Sequence, residues 1–185
     1  MEASAPGEGG RVVRRVALLI SHERDSDLAE FVEEHYERLI RLAALVCNDA
    51  SEAQEAVQNG LERAWRKRSQ LRAQESTRSW VDRIVVREAI RCGERRRSWI
   101  QRLAPRGDEA PETVTGGLGV AGTAALRLAY ASLLPRHRAV VALHHYAGYS
   151  VAETAAALQL PKETVRSRLR SARMRMREHL EEPIG

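Results

Sequence analysis

Apolar residues along this chain recur at helical intervals in two blocks. In the first block, Val32, Tyr36, Leu39, Ala43 and Val46 are spaced alternately by four and three, which sets them on one face of a helix. Asn48-Asp49-Ala50 ends that helix. Ser51 and Gln54 then read as a capping box, a hydroxyl and an amide covering the orphan backbone N–H groups of the next helix. This second helix turns Ala53, Val57, Leu61, Ala64 and Trp65 inward, and Gly60 weakens it by about 1 kcal/mol relative to Ala. The polar stretch from Ser69 to Ser79 breaks the pattern. A third helix carries Trp80, Val81, Ile84, Val85 and Ile90, then runs into Arg95-Arg96-Arg97. The spacing of Trp80 with Ile84 makes Trp80 a core residue, and Trp65 reads the same way.

The second block opens with an apolar helix from about Ala124 to Leu134. Pro135 suits the first turn of the next helix, where a missing N–H costs nothing. That helix carries Val140, Val141, Leu143 and Tyr146, and Gly148 suits its end. Ser150 and Glu153 form a second capping-box pattern and open a short helix with Ala152, Ala155, Ala156 and Leu158. After a tight turn at Gln159 and Leu160, Pro161 opens a last helix with Val165, Leu169, Ala172, Met176 and Leu180 inside. A short helix, a tight turn and a longer helix make a helix-turn-helix.

The fold class expected is therefore all-α: two small helical domains joined by a flexible linker, the second a helix-turn-helix. Residues 1–27 begin as a mixture of Gly, Ala, Pro and Glu and are expected to form a disordered tail. Residues 28–100 form the first domain. Residues 101–122 hold Pro105, Gly107, Pro111, Gly116, Gly117, Gly119 and Gly122, too many breakers for a helix, and read as the linker. Residues 123–181 form the second domain.

Charge sharpens this picture. The chain of 185 residues carries +5 with a pI near 9.7, a balance that favours a polyanionic partner. GC-rich codon usage is the plainer source of its preference for Arg over Lys. The distribution is more telling. Residues 162–178 hold Lys162 and six Arg against two Glu, a net +5 on one helix. Residues 30–64 carry −5 and residues 83–106 carry +6. One surface repels nucleic acid while others attract it, as suits a protein that touches DNA and a protein partner together.

Other chemistry is sparse. Cys47 and Cys92 sit inside helical patterns without metal-ligand spacing and are expected to be free thiols in a reducing cytoplasm. His144 and His145 are adjacent, so they face different directions on a helix and make a poor metal pair. The sequence offers neither a phosphate loop nor a nucleophile arrangement, so no catalysis, metal or cofactor is expected. The five apolar residues from Val16 to Ile20 are too few for a signal peptide, and no run reaches the ~20 needed to span a bilayer.

The residues now carry a resemblance. Leu133-Leu134-Pro135, Arg138, Val141, Gly148-Tyr149-Ser150, Glu153, Ala155, Leu158, Pro161, Thr164-Val165, Ser167-Arg168-Leu169 and Ala172-Arg173 resemble region 4 of the extracytoplasmic-function (group 4) sigma factors of bacterial RNA polymerase. Tyr36, Leu39, Ala53, Val57-Gln58, Arg63-Ala64-Trp65, Trp80, Arg83-Ile84 and Arg95-Arg96-Arg97 are similar to region 2. The chain departs from the pattern at Asn59, usually acidic, at Arg87 and Arg91, usually Asn and Asp, and at Gln159, commonly Gly.

The resemblance implies a sigma factor that binds core polymerase and directs promoter-specific initiation. Region 2 would dock on the clamp coiled coil through Glu52, Glu55, Gln58 and Glu62. It would read and melt the −10 element with Gln70, Arg72, Gln74, Ser76, Arg83, Arg87, Arg91, Arg95, Arg96 and Arg97. The loop before the third helix would take a flipped base. Region 4 would read the −35 element in the major groove with Lys162, Thr164, Arg166, Ser167, Arg170 and Arg173. The partners implied are core polymerase through its clamp and flap, promoter DNA, and in some members an anti-sigma factor. Two other readings compete: a helix-turn-helix regulator acting without polymerase, and an RNA-binding helical adaptor. Neither accounts for the acidic face.

Overall fold

The computed structural model describes residues 23–71, 76–103 and 124–181. The expected tail at 1–22, Arg72 and Gln74 of the loop, and residues 104–122 of the expected linker lie outside them. Seven α-helices are described: α1 Glu23–Cys47, α2 Ala50–Arg66, α3 Thr77–Leu103, α4 Ala124–Ala131, α5 Pro135–Val141, α6 Val151–Leu158 and α7 Lys162–Glu181. All regular structure among the described residues is helical. Helix α1 starts at Glu23, ahead of the boundary read at residue 28, and α3 runs on through residues 101–103, read as the start of the linker.

The chain divides into two units at Glu37 and Arg38, a boundary inside α1. In the first, Leu28 and Val32 are buried, and Phe31 meets His35 edge-on at 4.5 Å between ring centres. In the second, α2 packs on α3, α4 to α6 pack on α7, and α3 also meets α5 and α6. The apolar stripes supply the core. Leu39, Ala43 and Val46 of α1, Ala53, Val57 and Ala64 of α2, and Val81, Val85, Val86 and Ala89 of α3 are shut from solvent. Gly60 lets α2 lie flush on α3: a Cβ there would sit 2.9 Å from Val85 Cγ2 and 3.1 Å from Val85 Cα. The two thiols are buried and free. Burial, and then the nearby Cys92 thiol, push the Cys47 thiol well up.

The caps hold one surprise. Helix α2 is capped by Asp49, whose carboxylate accepts from the Glu52 amide at 2.9 Å, and not by the Ser51–Gln54 box. Asp49 is in extended backbone, as an N-cap must be, whereas Ser51 already lies within the first helical turn. Arg96 of α3 pairs with the same carboxylate and fixes the choice. Burial raises the Asp49 pKa, but the Glu52 amide and Arg96 together bring it below the ordinary carboxylate value. The second capping box is present as read, Ser150 and Glu153 bonding each other's backbone N–H groups.

In the C-terminal half, Val140, Ala155 and Val165 form a core against which Val141, Val151, Leu158, Leu160 and Leu169 pack. A π-helical turn, Ala142–Tyr146, follows α5. Its wider winding carries Tyr146, read as a core residue, out to solvent. Leu180, also read as inward, is exposed, because twenty-residue α7 outlasts the seven- and eight-residue helices it packs on. Trp80 is buried as its spacing requires, whereas Trp65 is only half-buried under the Arg68 guanidinium, 5.3 Å from its ring centre.

Candidate nucleic-acid and polymerase interfaces

Helix α6, the turn at Gln159 and helix α7 form the helix-turn-helix. Gln159 takes the left-handed conformation, φ 56° and ψ 50°, where family members commonly have Gly. Pro161 leads into α7, whose first turns present Lys162, Arg166, Ser167, Arg170 and Arg173 to solvent, with Thr164 half-buried. Lys162, Arg166, Arg170 and Arg173 recur at four- and three-residue steps, so these four share one exposed side, with Ser167 and Thr164 further round the helix. Arg166 pairs with Glu163, and Ser167 Oγ donates to the Thr164 carbonyl at 3.0 Å. The free N–H groups and positive dipole end of α7 add to this surface.

On α3, Arg83, Arg87, Arg91 and Arg95 repeat every four residues and therefore share one stripe. Burial, and then the Arg83 and Arg91 charges, hold the Arg87 pKa below its ordinary value. Packed like charges of this kind are relieved by a polyanion. Arg91 meets Glu88 at 2.6 Å, and Glu88 also meets Arg63 of α2 at 3.1 Å. Arg95 and Arg96 turn away to α2: Arg95 meets Glu55 at 2.7 Å and Arg96 holds Asp49. Arg97 and Trp99 are exposed beyond them. Gln70 and Ser76 flank the loop and are exposed.

On α2, Glu55, Gln58 and Glu62 are exposed along one side, and Glu52 is half-buried. Burial, and then the Glu55 charge, raise the Glu52 pKa. Donor atoms of Glu52, Glu55 and Cys92 lie within 4.8 Å of one another. The Arg95 guanidinium, bonded to Glu55 and 3.1 Å from Cys92 Sγ, already supplies positive charge there. His144 Nδ1 lies 2.6 Å from the Tyr149 carbonyl, and the His144 and His145 rings, read as facing different directions, meet edge-on at 4.7 Å.

Three residues that sequence reasoning left out or left unassigned join distant parts of the chain. Asp82 is fully buried and takes both Nη groups of Arg38, one at 3.0 Å, and the Tyr149 hydroxyl at 2.9 Å. Arg138, quoted only as a motif position, is buried and donates to the Val46, Cys47, Ala131 and Leu133 carbonyls. Tyr130 donates to the Leu45 carbonyl at 3.1 Å. A buried charge in a helical pattern is the one local signal that could have marked Asp82.

Residues 31–110 match the family described as Sigma-70 region 2, and residues 129–178 match Sigma-70, region 4. The ECF RNA polymerase sigma factor SigM of Mycobacterium tuberculosis is 33% identical over 179 residues, 93% of this chain and 88% of SigM. In fold, the chain is similar to the sigma factor RpoE of Bartonella quintana, solved in complex with the anti-sigma factor NepR. That match has a TM-score of 0.63 at 21% identity and covers 85% of this chain and 98% of that one. It is also similar to CnrH, solved with the cytosolic domain of CnrY, with a TM-score of 0.59 at 19% identity, covering 94% and 97%.

Proposed function

The chain belongs to the extracytoplasmic-function sigma factors of bacterial RNA polymerase, and from that membership and the surfaces above we infer how its residues divide the work. As a sigma factor it binds core polymerase and directs promoter-specific initiation. Helix α7 reads the −35 element, with Arg166, Ser167 and Arg170 at base edges and Lys162 and Arg173 on phosphates. The α3 stripe of Arg83, Arg87 and Arg91, continued by Arg97, holds the −10 region. Gln70 and Ser76 frame a loop that takes an unstacked base, whose unstacking costs a few kcal/mol. Helix α2 offers Glu55, Gln58 and Glu62 to the clamp coiled coil, and the polymerase flap takes the helix-turn-helix half. An anti-sigma factor is a further partner, since the similar sigma factor RpoE was solved with one. The protein acts in the cytoplasm, where polymerase is.

One observation carries this division: the acidic side of α2 and the cationic side of α7 are separate exposed surfaces, and the α3 stripe is exposed at Arg91 and Arg97 and half-buried at Arg83 and Arg87. A DNA-binding regulator acting alone has no use for the first. Binding of the labelled chain to purified core polymerase tests it. Glu62→Arg is expected to weaken binding at least tenfold, because a reversed charge in an interface is repelled, while Arg170→Ala leaves core binding unchanged. Equal core binding by wild type and Glu62→Arg would remove α2 as the docking helix.

A further inference from the structure

Helix α3 outruns the helix it packs on. Arg95 meets Glu55 of α2, and Arg96 holds Asp49, the residue that caps the start of α2. Residues 97–103 therefore project past that start. Trp99 stands on this overhang. Trp is highly buried on average in folded proteins, yet Trp99 is 59% exposed, against 4% for Trp80.

The overhang continues the cationic stripe. Arg83, Arg87, Arg91 and Arg95 step by four along α3, and the next step is Trp99. Arg102, three residues further, falls on the same side and is exposed. Its Nε donates to the Ser98 carbonyl at 3.2 Å, which ties the side chain down beside the ring. Trp99 thus stands between two exposed guanidiniums. From Arg95 to Leu103 the chain holds four Arg and no acid. An apolar ring framed by cations fits a surface that alternates sugar and phosphate. The indole faces pack on deoxyribose, and its Nε1–H, which only donates, meets a phosphate oxygen. The flanking Arg take neighbouring phosphates.

Position along the helix decides which DNA this is. The loop assigned to the unstacked base ends where α3 begins, at Thr77. Trp99 lies about 33 Å beyond Thr77 at 1.5 Å per helical residue, the length of about ten base pairs. A base held in the loop is out of its reach, and the DNA at this end of the stripe is still paired.

We propose that Trp99, with Arg102 beside it, grips the double-stranded DNA between the −10 and −35 elements by its sugar-phosphate backbone, without reading its sequence. The inference rests on the assignment of the α3 stripe to the −10 region above.

Two fork DNAs test it, built on a promoter that the chain and core polymerase together select from genomic DNA. Both carry the single-stranded −10 bases and lack the −35 element. One keeps about fifteen base pairs of upstream duplex, enough to pass Trp99, and the other is trimmed at the upstream edge of the −10 element. Holoenzyme made with the wild-type chain is expected to bind the longer fork more tightly. Trp99→Ala should weaken binding to the longer fork about tenfold and leave the trimmed fork unchanged. Trp99→Phe, which keeps a ring and loses the donor, should fall between. Arg102→Ala should lessen the salt dependence on the longer fork by about one phosphate contact. Exchanging the spacer sequence should change none of these. Equal binding of the longer fork by wild type and Trp99→Ala overturns the proposal. So does an equal loss on both forks, which would put Trp99 on the melted bases, or a loss of affinity for core polymerase itself, which would put it in that interface. If wild-type holoenzyme binds neither fork, the assignment of α3 to the −10 region falls, and this contact with it.

Discussion

Replacing Gly60 with Ala sets two effects of opposite sign against each other. Gly in a helix interior costs about 1 kcal/mol relative to Ala, so sequence reasoning alone expects the change to stabilise. The structure reverses the sign. The new Cβ would meet Val85 Cγ2 at 2.9 Å and the Val85 Cα at 3.1 Å. A Cγ methyl can rotate away, but a Cα moves only if α2 and α3 separate. Overpacking a well-filled core costs about 1–3 kcal/mol. With the helix gain subtracted, the net loss is up to about 2 kcal/mol. For a chain of this size each kcal/mol moves the melting temperature by about 2–4 °C, so Gly60→Ala is expected to lower Tm, by up to about 8 °C. Thermal and urea melts followed by circular dichroism read this. Val85→Ala should be destabilising alone, yet less so in the Gly60→Ala background, with a coupling of at least about 0.5 kcal/mol between these touching sites. A rise in Tm for Gly60→Ala would refute the close approach of α2 and α3.

Two further predictions concern the helix ends. Asp49 carries a pKa below the ordinary 3.8, so its stabilisation is present above that value and lost as pH falls through the lower folded value. Asp49→Asn, which can still cap, should therefore flatten the stability curve below pH 3.8, and Asp49→Ala should cost about 1 kcal/mol at neutral pH; melts across pH 2–7 check both. Gln159→Gly should raise stability by up to about 1 kcal/mol, because a side chain in the left-handed region is strained, and an unchanged or lower Tm would argue against that strain.

The sequence made the helices and most of their buried faces legible because amphipathic spacing is local. Val32, Leu39, Val46, Trp80 and Val165 could be placed from period alone, and all are buried. The helix-turn-helix was legible for the same reason, since Ser150, Glu153 and Pro161 punctuate it at short range. What distant partners decide stayed hidden. Asp49 and Ser51 both offer a cap for α2, and Arg96, 47 residues away, selects Asp49. Arg95 and Arg96 read as a basic run for DNA, yet each has an acid waiting on α2. Gly60 read as a weak point because Val85 is not its neighbour in sequence. Arg138 read as one position of a motif, although two of its four bonds reach back more than ninety residues.

Mapping transcript 5′ ends from purified genomic DNA, transcribed by core polymerase with and without the chain, tests the central claim most directly. The account predicts new starts that appear only with the chain and share sequence near −10 and −35, and it predicts that Arg166→Ala with Arg170→Ala abolishes those depending on the −35 motif. Binding of the chain to DNA with no new start when core polymerase is present would contradict it.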